Sequence, residues 1–417
     1  MDIVEDIIRG VSDINLKTDE NTKEDIKISF DDLWNIASNS DTGIDYEKLM
    51  RGLGSAPIDE PLLERFERIT GKPVHYLLRR GKFFSHLDMH NILDQYEAGQ
   101  PFYLYNGRGL SLPSLHIGHL IPFMLCKWLQ EVFDIPVIIQ LVDYEKFKLE
   151  EVELENANKL AHENAKDIIA LGFDIDKTFV FSSLDHYDQC PRFYRNVTRI
   201  EVRVACNDTK GTFGIYGCGT FRKITFLAFQ FAPAISTSFP HIFGDKFPCL
   251  IPCAIEQDPY FRNMRDVIPT VGYQKPALLY SVLFPALQGS KMKISASDNN
   301  STVFLTDTVK QVKNKIYKCA VSGEQATVEE HRELGGNCDI DISYQYLTFL
   351  LEDEEKLEQI GKDYSSGVML SKEVKNILID TIKSIIQKHQ EERSKITDEI
   401  LKKFMTPRKL NFSYKKL

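Results

Sequence analysis

Short apolar runs rich in β-branched and aromatic residues alternate with longer helical patterns from residue 102 onward. Phe102–Tyr105 precedes a glycine-containing turn and a helical stretch at His116–Phe133, and Pro136–Val142 follows as a buried strand. The amphipathic stretch Leu154–Leu171 stops at Gly172, a residue suited to a helix C-terminus. Strands joined by crossover helices form a parallel sheet that is covered on both faces. The sequence therefore predicts an α/β protein with a Rossmann-like parallel sheet. Its further strands are Thr178–Phe181, Cys249–Ile255 and Ala277–Phe284.

The length and a change of pattern predict more than one domain. A chain of 417 residues exceeds the roughly 250–300 residues at which a single core stops growing. Beyond Asp298-Asn299-Asn300 the strand-like runs end, and apolar residues recur at three- and four-residue spacing on one helix face. These residues are Val374, Ile377, Leu378, Ile382, Ile385 and Ile386. We expect a partly helical acidic extension at 1–84, a Rossmann-like catalytic domain at 85–304, an all-helical domain at 305–405 and a basic tail at 406–417.

Charge and composition restrict the compartment and the partners. The net charge of −9 argues against a surface that binds nucleic acid everywhere, but residues 401–417 carry six basic and no acidic side chains. A basic tail permits a local nucleic-acid contact. No apolar run approaches the ~18 residues of a membrane helix, and the acidic start of the chain does not resemble a targeting segment. The eight cysteines lack the paired spacing of a zinc site, so we expect reduced thiols and a cytoplasmic protein.

The segment His116-Ile117-Gly118-His119 stands where the first predicted strand gives way to a helix. Unpaired N–H groups and the positive end of the dipole favour phosphate at a helix N-terminus, and Gly118 permits close approach of a nucleotide. This pattern predicts an ATP site. The alternative is that the two histidines only cap the helix or pack against the strand. A metal site is less favoured, since no nearby cysteine or acid completes a ligand set.

A second segment, Lys293-Ile294-Ser295-Ala296-Ser297, lies in a polar loop. A lysine on a loop that closes around ATP can neutralise the charge that develops on leaving pyrophosphate. Taken alone, such a loop is more often solvated surface.

Together the two segments resemble the HIGH and KMSKS motifs of class I aminoacyl-tRNA synthetases, with 173 residues between His119 and Lys293. Ala296 matches the KMSAS form of eukaryotic cytosolic tryptophanyl-tRNA synthetases, and Ile294 replaces methionine. The similarity extends from about Gly43 to Asn411 and includes the segment Cys249–Arg262.

The resemblance implies ATP-dependent activation of L-tryptophan to tryptophanyl-adenylate and its transfer to tRNA(Trp). It further implies Mg²⁺ with the ATP, anticodon binding by the helical domain, a homodimer and no membrane association. The implied catalytic residues are His116, Gly118, His119, Lys293 and Ser295. The implied ATP-binding residues are Gly107, Arg108, Gly109, His116, Gly118, His119, Lys146, Lys293, Ser295 and Ser297. The implied tryptophan-binding residues are Tyr105, Gln140, Glu145, Gln230 and Gln257.

Three segments at the mouth of the implied site depart from the family pattern, namely 110–113, 142–146 and 215–219, with fewer acidic or polar side chains. We expect altered handling of ATP or Mg²⁺ from these changes. Three other functions remain open: a tyrosyl-tRNA synthetase, a small-molecule nucleotidyltransferase, and an inactive synthetase-like regulator.

Overall fold

A seven-stranded, mostly parallel sheet forms the centre of the protein. The computed structural model describes residues 44–110, 114–143, 154–205, 221–244, 246–289, 294 and 298–412. The strands are β1 Ala56–Pro57, β2 Phe83–Leu87, β3 Tyr103–Gly109, β4 Val137–Val142, β5 Thr178–Ser182, β6 Cys249–Ala254 and β7 Ala277–Ser281. Their order is β1-β2-β7-β6-β3-β4-β5, and the five strands from β3 to β7 pair in parallel. The predicted Rossmann-like α/β fold is confirmed.

Helices precede, connect and follow these strands. Those before β3 are α1 Tyr46–Leu53, α2 Glu60–Thr70, α3 Tyr76–Arg79 and α4 Met89–Glu97. Those within the parallel sheet are α5 Ile117–Phe133, α6 Leu154–Ile169, α7 Ser183–Gln189, α8 Pro191–Glu201, α9 Phe221–Phe231 and α10 Asp258–Val267. The C-terminal helices are α11 Val309–Cys319, α12 Val328–Leu334, α13 Ile342–Leu350, α14 Glu354–Ser365, α15 Ser371–Ser394 and α16 Asp398–Met405.

The inner strands are apolar throughout because helices cover both of their faces. Every residue of β4, β5 and β7 is buried. Side chains alternate between two cores: Leu104 packs with α5, α6 and the C-terminal helices, whereas Tyr103 and Tyr105 pack with α8, α9 and α10. The connection from β3 leads to β4 on one side, and the chain later returns from β5 to β6 on the other side of β3. Such a switch point opens a crevice at the carboxyl ends of the strands.

Several strand bounds differ from the predicted ones for reasons of pairing. Strand β3 continues to Gly109, beyond the predicted Tyr105, because its register with β4 extends to Val142. Strand β7 ends at Ser281 rather than Phe284, since its last partner is Ala254 at the end of β6. The pattern did not predict β1 and β2, which add antiparallel to the edge of β7.

The C-terminal third is helical in its described part, as predicted. Helix α15 buries Val374, Leu378, Ile382 and Ile386, whereas Ile377 and Ile385 are half-buried. The predicted domain limits at 84, 304 and 405 remain predictions, and β2 crosses the first of them. The expected extension lies outside the described residues up to residue 43, as does the tail beyond 412. None of the described helices has the length and apolar character of a membrane span.

Candidate active site

A cavity of about 470 Å³ opens at the carboxyl ends of β3 and β6, in the crevice formed by the switch point. It collects residues that the sequence places far apart. Nine of the residues singled out from the sequence line it: Tyr105, Gly107, Arg108, Gly109, His116, Gly118, His119, Gln230 and Gln257. Gln140 is fully buried behind Tyr105. Glu145, Lys146, Lys293, Ser295 and Ser297 lie outside the described residues.

The two histidines form the start of α5. His116 precedes the helix in an extended conformation, and its backbone N–H donates to Nδ1 of His119 at 3.1 Å. A side chain that accepts from the backbone three residues earlier is one half of a capping box, and it explains the spacing of the pair. The two rings stack with their centroids 3.4 Å apart. The alternative interpretation therefore holds for His119 in one respect: it caps the helix, and it also lines the cavity.

The charge at this end of the cavity comes from Arg108. Burial, followed by the charge of Arg108, lowers the pKa of His116 to about 3. The same two causes, with a smaller contribution from His116, hold the pKa of His119 well below its usual value. Both rings are therefore neutral at pH 7.

Two hydrogen-bond donors face the ring of His119. A neutral imidazole has one acceptor nitrogen, yet His119 faces the N–H of His116 and also Nη1 of Arg108, which lies 2.9 Å from its Nε2. The ring can accept from only one of these two donors. The guanidinium of Arg108 and the start of α5 therefore place positive charge and N–H groups at this end of the cavity, which suits a phosphate.

Two glycines bring backbone to the cavity wall. A Cβ atom on Gly118 would lie 3.1 Å from Cδ1 of Phe284 and 3.2 Å from the ring of His116, which is tighter than ordinary contact. A Cβ atom on Gly107 would meet nothing closer than 3.7 Å, at the hydroxyl of Tyr105. The protein itself therefore requires a small residue at 118, whereas a small residue at 107 leaves room for a ligand.

A chain of directed hydrogen bonds fixes Tyr105 and Gln140 at the other end of the cavity. Nε2 of Gln140 donates to Oγ of Ser183 at 3.0 Å and to the carbonyl oxygen of Phe229 at 3.1 Å. Oγ of Ser183 in turn donates to the carbonyl oxygen of Leu141 at 3.0 Å. The amide of Gln140 is thus oriented with Oε1 toward the hydroxyl of Tyr105, 2.6 Å away.

At the Tyr105 end of the cavity, hydrogen-bond acceptors outnumber donor protons. The single hydroxyl proton of Tyr105 faces two acceptors, Oε1 of Gln140 and the carbonyl oxygen of Gln230 at 3.0 Å. Oε1 of Gln230 is also buried and has no partner among the described residues. A ligand that brings N–H donors would satisfy these oxygens.

The ends of the loop that carries Lys293 are tied to each other and to the first motif. Before the loop, the N–H of Leu287 donates to the carbonyl oxygen of Ser301 at 2.9 Å. After the loop, the N–H of Leu305 donates to the carbonyl oxygen of Leu115 at 2.9 Å, immediately before His116. Ile294, the only residue described between 290 and 297, lines the cavity.

One of the altered mouth segments contains a carboxylate with a structural role. Asp143 is fully buried, accepts from the hydroxyl of Ser182, and accepts from the N–H of Leu184 at 3.3 Å at the start of α7. Leu110, in another altered segment, is also buried. Residues 111–113 and 215–219 lie outside the described part of the chain.

Sequence reasoning missed several polar residues that support the site. Ser183 orients Gln140, Oδ1 of Asn164 accepts from Nε of Arg108 at 3.0 Å, and Glu256 is a carboxylate that lines the cavity. Asn164 stands within an apolar face of α6, and a polar residue at such a position is the signal that could have identified it.

Sequence reasoning also missed a row of exposed arginines on α8. They share one helix face because they recur every three or four residues. None of them forms an ion pair with a residue that the structure describes. The α8 arginine row consists of Arg192, Arg195 and Arg199.

Comparison with known proteins agrees with this geometry. The family model described as tRNA synthetases class I (W and Y) matches residues 252–387. Over 387 residues the chain is 56% identical to the cytoplasmic tryptophan-tRNA ligase of Bos taurus, covering 92% of this chain and 81% of the relative. The protein of the same name from Homo sapiens is 55% identical over 387 residues, covering 92% and 82%.

Solved structures show the same relationship. The crystal structure of Plasmodium falciparum tryptophanyl-tRNA synthetase matches with a TM-score of 0.82 at 44% identity, covering 87% of this chain and 98% of that chain. The resemblance carried by the two motifs is thereby confirmed. The chain belongs to the tryptophan-tRNA ligases, a family of class I aminoacyl-tRNA synthetases.

Proposed function

We propose that this protein activates L-tryptophan with ATP and transfers it from tryptophanyl-adenylate to the 3′-terminal ribose of tRNA(Trp). The observation that carries this function is the polarity of one cavity, with the charge of Arg108 beside the start of α5 at one end and surplus acceptors at Tyr105 at the other. A nucleotide phosphate fits the first end and an indole N–H fits the second. Between these two ends the cavity is lined by residues of β3.

The tryptophan end works through orientation. The indole has one N–H donor, and we assign the oxygen atoms of Tyr105 and Gln140 to accept it. Gln230 and Gln257 then face the amino and carboxylate groups, together with Glu145. The unpartnered Oε1 of Gln230 supports this assignment because a ligand ammonium would satisfy it.

The ATP end works through positioning and charge. The attacking carboxylate of tryptophan is already ionised, so attack on the α-phosphorus requires no general base. His116 and His119 contact phosphate as neutral groups, and Arg108 supplies positive charge beside them. We assign Gly107, Gly109 and Gly118 to close backbone contact, and Lys146, Lys293, Ser295 and Ser297 to the phosphates and the departing pyrophosphate.

Mg²⁺ accompanies ATP in this proposal as part of the substrate. It prefers oxygen ligands and retains water, and it is commonly held through substrate phosphates. Among the described residues no group of three His, Cys, Asp or Glu side chains is placed to hold a metal. Phosphate oxygens and water are its ligands in this proposal.

The α8 arginine row is the local positive surface that tRNA requires on an acidic protein. Phosphates of the tRNA contact this row in our proposal, and the C-terminal helices bind the anticodon. Helix α8 packs against the same core as α9, which contributes Phe226 and Gln230 to the cavity wall. We further propose that the protein is a homodimer in the cytoplasm. Light scattering of the purified protein tests the dimer.

The first experiment is ATP–pyrophosphate exchange with each of the twenty amino acids, together with a Lys293→Ala variant. Tryptophan alone should support exchange, and the variant should lose most of it. Exchange driven by tyrosine would contradict the assigned pocket while leaving the fold intact. Tryptophan binding without exchange would indicate an inactive, regulatory member of the family.

A further inference from the structure

A buried carboxylate connects the first motif with the C-terminal helices. Asp167, on α6, is 1% exposed, and its Oδ2 accepts from the N–H of Leu115 at 3.1 Å. Leu115 directly precedes His116, so this bond fixes the chain where it enters α5. The other side of Leu115 is held by its carbonyl oxygen, which accepts from the N–H of Leu305.

Helix α15 also contacts Asp167. Nε of Arg393 donates to Oδ1 of Asp167 at 2.5 Å, and Nη2 of Arg393 donates to Glu163 at 2.5 Å. One turn earlier, Nε2 of His389 lies 2.9 Å from the backbone carbonyl oxygen of Asp167. The last turns of α15 therefore hold both the carboxylate and the backbone of this residue.

The same region of α15 also holds the segment that follows the second motif. Nε2 of Gln390 donates to the carbonyl oxygen of Leu305 at 2.8 Å. Residues 303–305 pair with Leu115–Ile117 through two backbone hydrogen bonds. One helix face, formed by residues 389, 390 and 393, thus supports the chain on both sides of the phosphate end of the cavity.

We propose that Arg393 is a positioning residue for ATP, acting through Asp167 and the N–H of Leu115 on the first turn of α5. The inference deepens the proposed function, on which it rests. Arg393 does not line the cavity, and it belongs to the helical region assigned to tRNA binding. Its effect on adenylate formation is therefore indirect, and it makes the C-terminal helices part of the machinery that activates tryptophan.

The charge balance explains why arginine is needed. A carboxylate with 1% exposure is stable as an anion only with a charged partner, and Arg393 is its ion-pair partner among the described residues. Without Arg393 the buried carboxylate has lost its ion-pair partner and turns toward water. This movement weakens its bond to Leu115 and displaces His116.

The test uses the full-length protein with three variants. Arg393→Ala removes the support, and Lys395→Ala is the matched control, because Lys395 is a nearby exposed cation paired with Glu392. The double variant Arg393→Ala/Asp167→Asn removes the unpaired charge while leaving an amide oxygen that can accept from Leu115. ATP is varied in tryptophan-dependent exchange, Mg·ATP binding is measured by calorimetry, and tryptophan binding is measured by equilibrium dialysis.

For Arg393→Ala we expect a loss of about 10²-fold in kcat/KM for ATP and weaker Mg·ATP binding, with tryptophan binding within about twofold of wild type. The control should match wild type, and the double variant should recover most of the ATP kinetics. A purely structural role would weaken both ligands together. If Arg393→Ala does not fold, Arg393→Lys gives the same comparison, because lysine lacks the fork that holds Asp167 and Glu163 together.

The proposal is overturned if Arg393→Ala behaves like Lys395→Ala, if ATP and tryptophan binding fall equally, or if the double variant recovers nothing. Absence of exchange in the wild type would instead contradict the proposed function. In that case Mg·ATP binding by the same variants still decides the role of Arg393.

Discussion

Replacement of Tyr105 by phenylalanine should abolish the ability of the site to detect the indole N–H. The change removes one oxygen from a side chain that is 1% exposed. That oxygen donates to Gln140 over 2.6 Å and lies between the cavity and the fully buried Gln140 amide. In the variant an indole N–H would face an apolar ring edge, and its one remaining assigned acceptor, Oε1 of Gln140, is fully buried behind that ring.

The magnitude follows from the cost of unpaired polar groups. Leaving a buried donor or acceptor unsatisfied costs about 1–3 kcal/mol, and each 1.4 kcal/mol corresponds to about tenfold. We therefore expect kcat/KM for tryptophan to fall by about 5- to 150-fold in Tyr105→Phe. Benzothienylalanine, in which sulfur replaces the N–H, should lose far less, so the preference for tryptophan over this analogue should largely disappear.

Tyr103→Phe is the matched control. Tyr103 lies two residues earlier on β3, is equally buried, and donates its hydroxyl to the carbonyl oxygen of Pro233 at 2.8 Å. Both variants should lose about 1–3 kcal/mol of unfolding free energy, but only Tyr105→Phe should lose the preference. Exchange kinetics with the two amino acids provide the measurement. A retained preference in Tyr105→Phe, or an equal loss in Tyr103→Phe, would refute the assignment.

Three further outcomes are expected. Gly118→Ala should raise KM for ATP about tenfold in exchange assays, because the new Cβ crowds Phe284 and the ring of His116 at the phosphate end of the cavity; an unchanged KM would contradict this. Arg195→Glu with Arg199→Glu should lower aminoacylation at least about tenfold and leave exchange intact, and equal loss of both would argue for misfolding. Burial lowers the pKa of His116 to about 3, so the unfolded chain binds an extra proton below pH 6.5. Acid should therefore reduce stability by up to about 1.4 kcal/mol per pH unit from this residue, and a urea midpoint at pH 5 equal to that at pH 7 would contradict it.

The parallel sheet was predictable because its strands are continuous apolar runs separated by helices. The strand bounds depend on which strands pair with each other, and the sequence of one apolar run does not show its partner. Strand β2 shows the limit: Phe83–Leu87 pairs with β7, almost 200 residues later in the chain, and periodicity carries no information about such a partner.

The candidate site was predictable only where a suitable residue type stands at a recognisable position between a strand and a helix. The histidines stand at a strand-to-helix junction, which identified them, and the resemblance supplied the tryptophan pocket. Asp167 could be flagged as a polar residue on the buried face of α6, but its partner Arg393 lies 226 residues away. Contacts of that separation follow from the assembled fold and not from local spacing.

The two cores on the faces of the sheet bear on how the protein unfolds. One of them contains Leu104 and Ile139 of the sheet together with Val303, Tyr346 and Val374 of the C-terminal third, without interruption at residue 304. The hydroxyl of Tyr346 also donates to the carbonyl oxygen of Pro285 at 2.8 Å. Cleavage near residue 305 would expose apolar surface on both fragments, so neither should persist alone. The sheet and the C-terminal helices should melt as one cooperative unit.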